Sequence, residues 1–233
     1  MEGNTVKILK TADGSHTLVN ESLDESYHSR HGALQESEHV FIKNGLDHVL
    51  KKTKEGESVH IFEMGMGTGL NLILSIRQSL EHPNIQFYYT TLEAYPLPWE
   101  IAEPLNYVSM LENESLTKYF KLIHLSQWDE LHQLLPNFSL EKHVLKLEDY
   151  NPPQNAYSLV FYDAFAPNKQ PELWTYQVIE RIVSMLTVNG VFVTYSARGQ
   201  LKRDLKALGL EVESLPGPPG KAEMTRATKS DEQ

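Results

Sequence analysis

From Val59 onward the chain alternates short apolar runs with longer amphipathic ones. "VHIFEM" gives way to "LNLILSIRQSL", then to "IQFYYTTLE", then to a polar stretch from Pro98 to Leu135 that reads as helical. "HVLKLED" and "AYSLVFYDAF" follow as strands, a helix is predicted from Glu172 to Leu186, and "GVFVTYSA" is the next strand. A helix from Gln200 to Leu208 precedes a final pair, "EVESL" and "AEMTRA", joined by "PGPPGK". Strands alternating with helices predict right-handed crossovers and an α/β fold: a Rossmann-like, mostly parallel sheet with helices on both faces. The Pro/Gly-rich joint predicts an antiparallel C-terminal edge hairpin. Ahead of this lies a polar stretch containing "LQESEHVFIKNGLDHVLKK", whose Val40, Phe41, Leu46, Val49 and Leu50 follow helical spacing. Residues 1–50 read as an N-terminal cap segment on a domain spanning 51–233.

The 233 residues suit one large domain, and 40% hydrophobic residues suffice for its core. No apolar run is long enough to span a membrane, and the N-terminus lacks the apolar middle of a signal peptide, so a soluble, cytoplasmic protein is expected. The chain has no cysteine, which removes disulfides, thiolate metal sites and cysteine nucleophiles. Its ten histidines show no metal-ligand spacing, and no metal is expected. A formal charge of −10 argues against a general polyanion-binding surface, although seven Lys and Arg against four Asp and Glu between Arg198 and Lys229 leave room for a local basic face.

In such sheets ligands bind beyond the carboxyl ends of the strands, where strand order reverses. The first such end reads "FEMGMGTGLN". Gly65, Gly67 and Gly69 allow close backbone approach, with Glu63 ahead of them and Thr68 at the start of a helix. A nucleotide-like ligand and simple tight packing both fit. The spacing matches neither the phosphate-cradling loop, which needs Lys and then Ser or Thr, nor the dinucleotide pattern. Glu93 ends the second strand, where it could accept both ribose hydroxyls or be a solvated terminus. Glu148 and Asp149 close "HVLKLED", as an adenine-amino acceptor or a solvated turn. Asp163 ends "LVFYDAF" among Phe161, Tyr162, Phe165 and Trp174, and a partly desolvated carboxylate there wants a cationic partner, either a ligand sulfonium or a substrate amine. Acidic strand ends with no phosphate-binding lysine suit a nucleoside with a positively charged reactive end, so S-adenosyl-L-methionine fits better than NAD or ATP.

"FEMGMGTGLN", "DAFAPNKQPELWT" and "VTYSARGQLKRDLKALGLEVESLPGPPGKAEMTRA" closely resemble the methyltransferase that completes 5-methylaminomethyl-2-thiouridine at the tRNA wobble position, a domain fused in some bacteria to an FAD-dependent oxidoreductase. "DESYHSRHGALQESEHVFIKNGL" extends the resemblance over nearly the whole chain. The resemblance implies a seven-stranded methyltransferase sheet, S-adenosyl-L-methionine as donor, and 5-aminomethyl-(2-thio)uridine in the anticodon region of tRNA as acceptor. It implies that the Gly65–Gly69 loop holds the methionine and ribose portions, that Glu93 meets the ribose hydroxyls and Asp149 or Glu148 the adenine, and that Asp163 faces the transferred methyl group. Ala164 stands where relatives often have glycine. The chain ends soon after "EMTRA", which implies the stand-alone form with any oxidoreductase as a separate partner.

On this reading Asp163 is the catalytic residue. A carboxylate of ordinary pKa is a weak base for an ammonium, so orientation of the amine is its expected role. Tyr27, Tyr195, Trp174 and above all Phe165 are candidates to stack on an extruded uracil or to wall the methyl channel, with plain core packing as the competing reading of each. His28 and Arg30 are candidates to contact tRNA or close the pocket. Lys169, Lys202, Arg203 and Lys221, with Arg198, Lys206 and Arg226, are candidates for the tRNA backbone. A methyl- or aminopropyl-transferase for a small amine, and a binding module without turnover, compete with this reading.

Overall fold

A computed structural model of the chain describes residues 6–22 and 24–231; residues 1–5 and 23 of the expected cap segment, with 232–233, lie outside the described residues. The apolar runs become β4 (Ser58–Met64), β5 (Gln86–Leu92) and β8 (Tyr157–Tyr162), the middle of an eight-stranded sheet. Around them stand β6 (Leu131–Leu135), β7 (Phe138–His143), β9 (Leu186–Thr194), β10 (Leu210–Pro216) and β11 (Glu223–Lys229), in the order β10-β11-β9-β8-β4-β5-β7-β6. The five strands from β9 to β7 are parallel, and β11, β10 and β6 are antiparallel to their neighbours. The chain starts in the middle at β4, steps outward to β5 and β7, then returns to β8 on the other side. The loops after β4 and β8 therefore face each other across the point where strand order reverses.

Successive side chains of a strand point to opposite faces. Ile61 and Phe161 enter one core, against a helix over residues 33–50 and α3 (Leu70–Glu81), while Phe62, Val160 and Tyr162 enter the other, against α7 (Tyr176–Met185) and α8 (Gly199–Ala207). The helix over 33–50 comprises α1 (Ala33–Ser37), a π-wound stretch (Glu38–Leu46) and α2 (Asp47–Leu50). Gly45 lets it approach the sheet closely, because a β-carbon there would lie 3.0 Å from Val193 and 3.2 Å from the Phe161 ring. Phe161 is completely buried and meets Phe41 and Tyr89. Phe161→Ala is expected to lower stability by about 3–5 kcal/mol in urea denaturation; a loss below about 1 kcal/mol would contradict this packing.

The stretch before the helix forms a separate three-stranded antiparallel sheet, β1 (Val6–Lys10), β2 (His16–Asn20) and β3 (Glu25–Ser26). Asp13 ties its first turn to α1: the carboxylate accepts from Ser15 N at 2.9 Å and from Gln35 N at 3.0 Å.

Two expectations need correction. The resemblance implies seven strands, and the sheet has an eighth, β6, inside the stretch read as helical. Leu131, Leu134 and Leu135 have helical spacing, yet the segment pairs antiparallel with β7 across a tight turn. That polar stretch is otherwise short helices, α4 (Trp99–Ala102), α5 (Tyr107–Met110) and α6 (Thr117–Leu125). The third strand, read as "HVLKLED", runs instead from Phe138 to His143. Its signal is broken by Lys142, which is 0% exposed and donates through Nζ to Ile123 O and Ser126 O, both at 2.8 Å, at the C-terminal end of α6. Burial pushes its pKa down to about 8.

Candidate active site

The loop between β4 and α3 turns through three glycines, Gly65, Gly67 and Gly69, with φ of 87°, 51° and 74°. Gly65 N and Met66 N donate to Leu92 O at 3.1 and 3.2 Å, which holds the loop over the end of β5. A β-carbon on Gly67 would lie 3.1 Å from the Tyr27 ring. Thr68 is fully buried: its Oγ1 accepts from the Tyr107 hydroxyl at 3.0 Å and lies 2.9 Å from His28 Nε2. Burial pushes the His28 pKa down to about 4, so this ring is neutral at physiological pH. Thr68 and His28 thus brace the loop from below.

Glu63, 1% exposed, lies beneath the loop. It accepts from Asn71 Nδ2 at 3.0 Å and from Thr91 Oγ1 at 3.3 Å. Burial, helped by the nearby Asp163 charge, pushes its pKa up to about 8. The same Asn71 amide donates to Asp163 Oδ2 at 2.8 Å, so one NH2 group joins the end of β4 to the end of β8. Asp163, directly after β8, is pushed up to about 7 by burial and by Glu36, against the hydrogen bond from Asn71 and the charge of Lys221. Glu93, directly after β5, accepts from Gly67 N at 3.0 Å and from Tyr95 N at 2.8 Å.

The segment after Asp163 is held by side chains reaching its backbone. The Tyr195 hydroxyl donates to Ala164 O and Trp174 Nε1 to Phe165 O, each at 2.8 Å, while Phe165 meets the Tyr27 ring edge-on at 5.1 Å. Beside it opens a cavity of about 440 Å³, walled by Ala166–Asn168, Tyr195–Arg198 and Lys221–Glu223.

The structure thus gathers Glu63, the glycine loop, Glu93, Asp163 and Phe165. It does not bring Glu148 or Asp149 into hydrogen-bond contact with them: both are exposed, and Glu148 sits 3.5 Å from Lys146. Lys202 Nζ donates to Glu223 at 2.7 Å and to Ser214 at 2.6 Å, Arg203 donates to Gln200 at 2.7 Å, Lys169 donates to Asp24 O at 2.9 Å, and Lys221 pairs with Glu36. Two residues of the site escaped the sequence reading. Asn71 is the one polar residue in "LNLIL", buried to 2% exposure, and Glu36 shares a helical face with Val40, four residues on. A polar residue on an apolar stripe is the signal in both cases. Among the described residues no group of three or more His, Asp or Glu could hold a metal, and no helix is long and apolar enough to cross a membrane.

The residues fit S-adenosyl-L-methionine. The glycine loop leaves backbone open where a side chain would intrude, Asn71 Oδ1 is buried without a donor, and the carboxyls at the ends of β5 and β8 suit a diol and a cation. A sequence-family model described as S-adenosyl-L-methionine-dependent methyltransferase matches residues 128–230. Fold and match point to one class: the chain resembles the methyltransferases that use S-adenosyl-L-methionine. More particularly, the chain resembles the tRNA 5-methylaminomethyl-2-thiouridine biosynthesis bifunctional proteins MnmC. The protein from Leptospira interrogans is 29% identical over 225 residues, 92% of this chain and 34% of the relative, and that from Pseudoalteromonas atlantica 28% identical over 237 residues, 94% and 33%. The chain therefore spans about a third of these relatives. The crystal structure of MNMC2 from Aquifex aeolicus superimposes with a TM-score of 0.74 at 26% identity, covering 100% of this chain and 74% of that one.

Proposed function

We propose that the protein transfers a methyl group from S-adenosyl-L-methionine to the primary amine of 5-aminomethyl-(2-thio)uridine at the tRNA wobble position, giving 5-methylaminomethyl-(2-thio)uridine. The observation that carries this reading is Asp163, a carboxyl joined to the glycine-loop helix through Asn71 and followed within three residues by one wall of a cavity, with its pKa near 7. The resemblance to MnmC and MNMC2 supports the substrate.

Bound S-adenosyl-L-methionine supplies an electrophilic methyl group. The Gly65–Gly69 loop and Glu93 would hold it, with Asp163 toward the acceptor. An alkylammonium has no lone pair until a proton leaves. A carboxylate near 7 is a better base than the ordinary one, so Asp163 both orients the amine and takes its proton. Tyr195 lines the groove and Phe165 directly precedes its Ala166–Asn168 wall, and these two rings are the faces for the extruded uracil.

The test is transfer of labelled methyl to two tRNA preparations, one with 5-aminomethyluridine at the wobble position and one unmodified, followed by nucleoside mass analysis. Label is expected only in the first. Label in neither, with cofactor binding intact, sends the search to small soluble amines. In the same assay, reversing the charges of Lys202 and Arg203 on α8 is expected to raise KM for tRNA and reduce the salt slope by about one to two; an unchanged slope removes this face from the tRNA contact. We also propose an FAD-dependent oxidoreductase as the partner that supplies the free amine.

A further inference from the structure

This inference rests on the amine-methylating reading above and concerns Lys221 and Glu36. Glu36, 4% exposed on α1, accepts Ser29 N at 3.0 Å with one oxygen and Lys221 Nζ at 2.5 Å with the other. Lys221 comes from the far end of the chain, in the connection between β10 and β11. Its ammonium stands 3.8 Å from the centroid of the Tyr195 ring, and the hydroxyl of that ring donates to Ala164 O, one residue beyond Asp163. Lys221 also lines the groove whose Ala166–Asn168 wall begins three residues after Asp163. A lysine clamped between a buried carboxylate and an aromatic face is not a free arm for a phosphate: leaving would strip a buried carboxylate of its partner. The result is a cation fixed at the mouth of the acceptor site.

A primary alkylamine has a pKa of about 10 and arrives as an ammonium. A fixed positive charge nearby disfavours that protonated form, the same effect that activates a lysine beside a second cation. We propose that Lys221, locked by Glu36 and Tyr195, is the fixed cation that brings the acceptor amine into its neutral, nucleophilic form. One N–H bond of the ammonium breaks and its proton passes to the Asp163 carboxylate; the freed nitrogen lone pair would then form the bond to the methyl carbon as the methyl–sulfur bond breaks, with the sulfur keeping that electron pair as a neutral thioether. The pairing also occupies Glu36, which would otherwise offer a second carboxylate to hold the acceptor as an inert ion pair. The charged and titratable groups around Lys221 include Glu36 on α1, Asp163 after β8, Tyr195 and Arg198 after β9, Glu223 at the start of β11, and His28 and His31 of the N-terminal loop; His31 packs against Gly220. Of the two histidines, His28 is neutral across the relevant range.

The experiment is single-turnover transfer to tRNA carrying 5-aminomethyluridine, followed over the pH range in which an alkylamine titrates, for the wild type, Lys221→Met and Lys221→Arg. Removing a unit charge from beside the amine is expected to move the acid limb of the Lys221→Met profile up by about one to two pH units. Lys221→Arg keeps the charge and is expected to keep the limb. A Lys221→Met limb that superimposes on the wild type overturns the proposal, however far the amplitude falls, because a purely structural lysine changes amplitude alone. Should Lys221→Met fail to fold in thermal melts, Lys221→Gln is read by the same criterion. Wild-type protein that does not methylate this tRNA refutes the substrate reading, whereas active wild type with unmoved limbs refutes only the role of Lys221.

Discussion

Asp163→Asn is expected to slow single-turnover methyl transfer about 100- to 10,000-fold, the range associated with loss of a positioned proton acceptor, while binding of S-adenosylhomocysteine in calorimetry changes far less. The amide is nearly isosteric and can still accept from Asn71, so shape is kept and only the charge and the basic lone pair go. The variant separates chemistry from folding by a second reading. The folded-state pKa of Asp163 is about 7 against an ordinary 3.8, so the folded protein binds the extra proton between these values. Stability from this group is present below about 3.8, is lost as pH rises to about 7, and is level above. The variant lacks that loss and should melt at least as high as the wild type at pH 8. Near-normal turnover, or a large fall in melting temperature at pH 8, would sink the assignment.

Asn71→Leu carries the second large effect, this time on stability. One amide group serves two carboxyls, and its removal leaves Glu63 and Asp163 side by side and deprived of a buried donor. Leaving buried acceptors unsatisfied costs about 1–3 kcal/mol each, so a loss of about 3 kcal/mol is expected in urea titrations. The sign of its pH dependence follows from Glu63, held at about 8 against an ordinary 4.5. Between those values the folded state binds more protons than the unfolded one, and stability declines with rising pH. Without the Asn71 donor both carboxyls resist ionisation further, so the deficit should be larger at pH 8.5 than at pH 5.5. Equal losses at the two pH values would show that the amide only fills space.

Most of the sheet was legible because its strands are continuous apolar runs between amphipathic helices, the pattern of strands buried on both faces. Glu93 and Asp163 were legible for the same reason, since a carboxylate that ends such a run lies at the end of its strand. Reading failed where tertiary structure overrides local chemistry. Lys142 looks like a surface residue, yet its ammonium closes the carbonyl end of α6, so the third strand was placed too late and Glu148 and Asp149 were credited with a strand end they do not occupy. β6 was missed because leucines at helical spacing also suit a short edge strand whose partner lies outside the window. The β1–β3 sheet was missed in a stretch too polar to show a strand period. Lys221 and Glu36 are far apart in sequence, and nothing local announces that they meet.

The neutral state of Glu63 changes the field that a polyanion meets. The formal −10 counts every carboxyl as ionised. Glu63 keeps its proton at neutral pH, Asp163 is divided between its two forms, and Glu36 is paired with Lys221, whose ammonium lines the groove. The repulsion opposing an approaching nucleic acid at the mouth of the groove is therefore weaker than the residue count implies, and it grows as alkaline solution strips those protons away. A negatively charged chain can thus present to an anionic ligand a doorway far less negative than its formal charge implies.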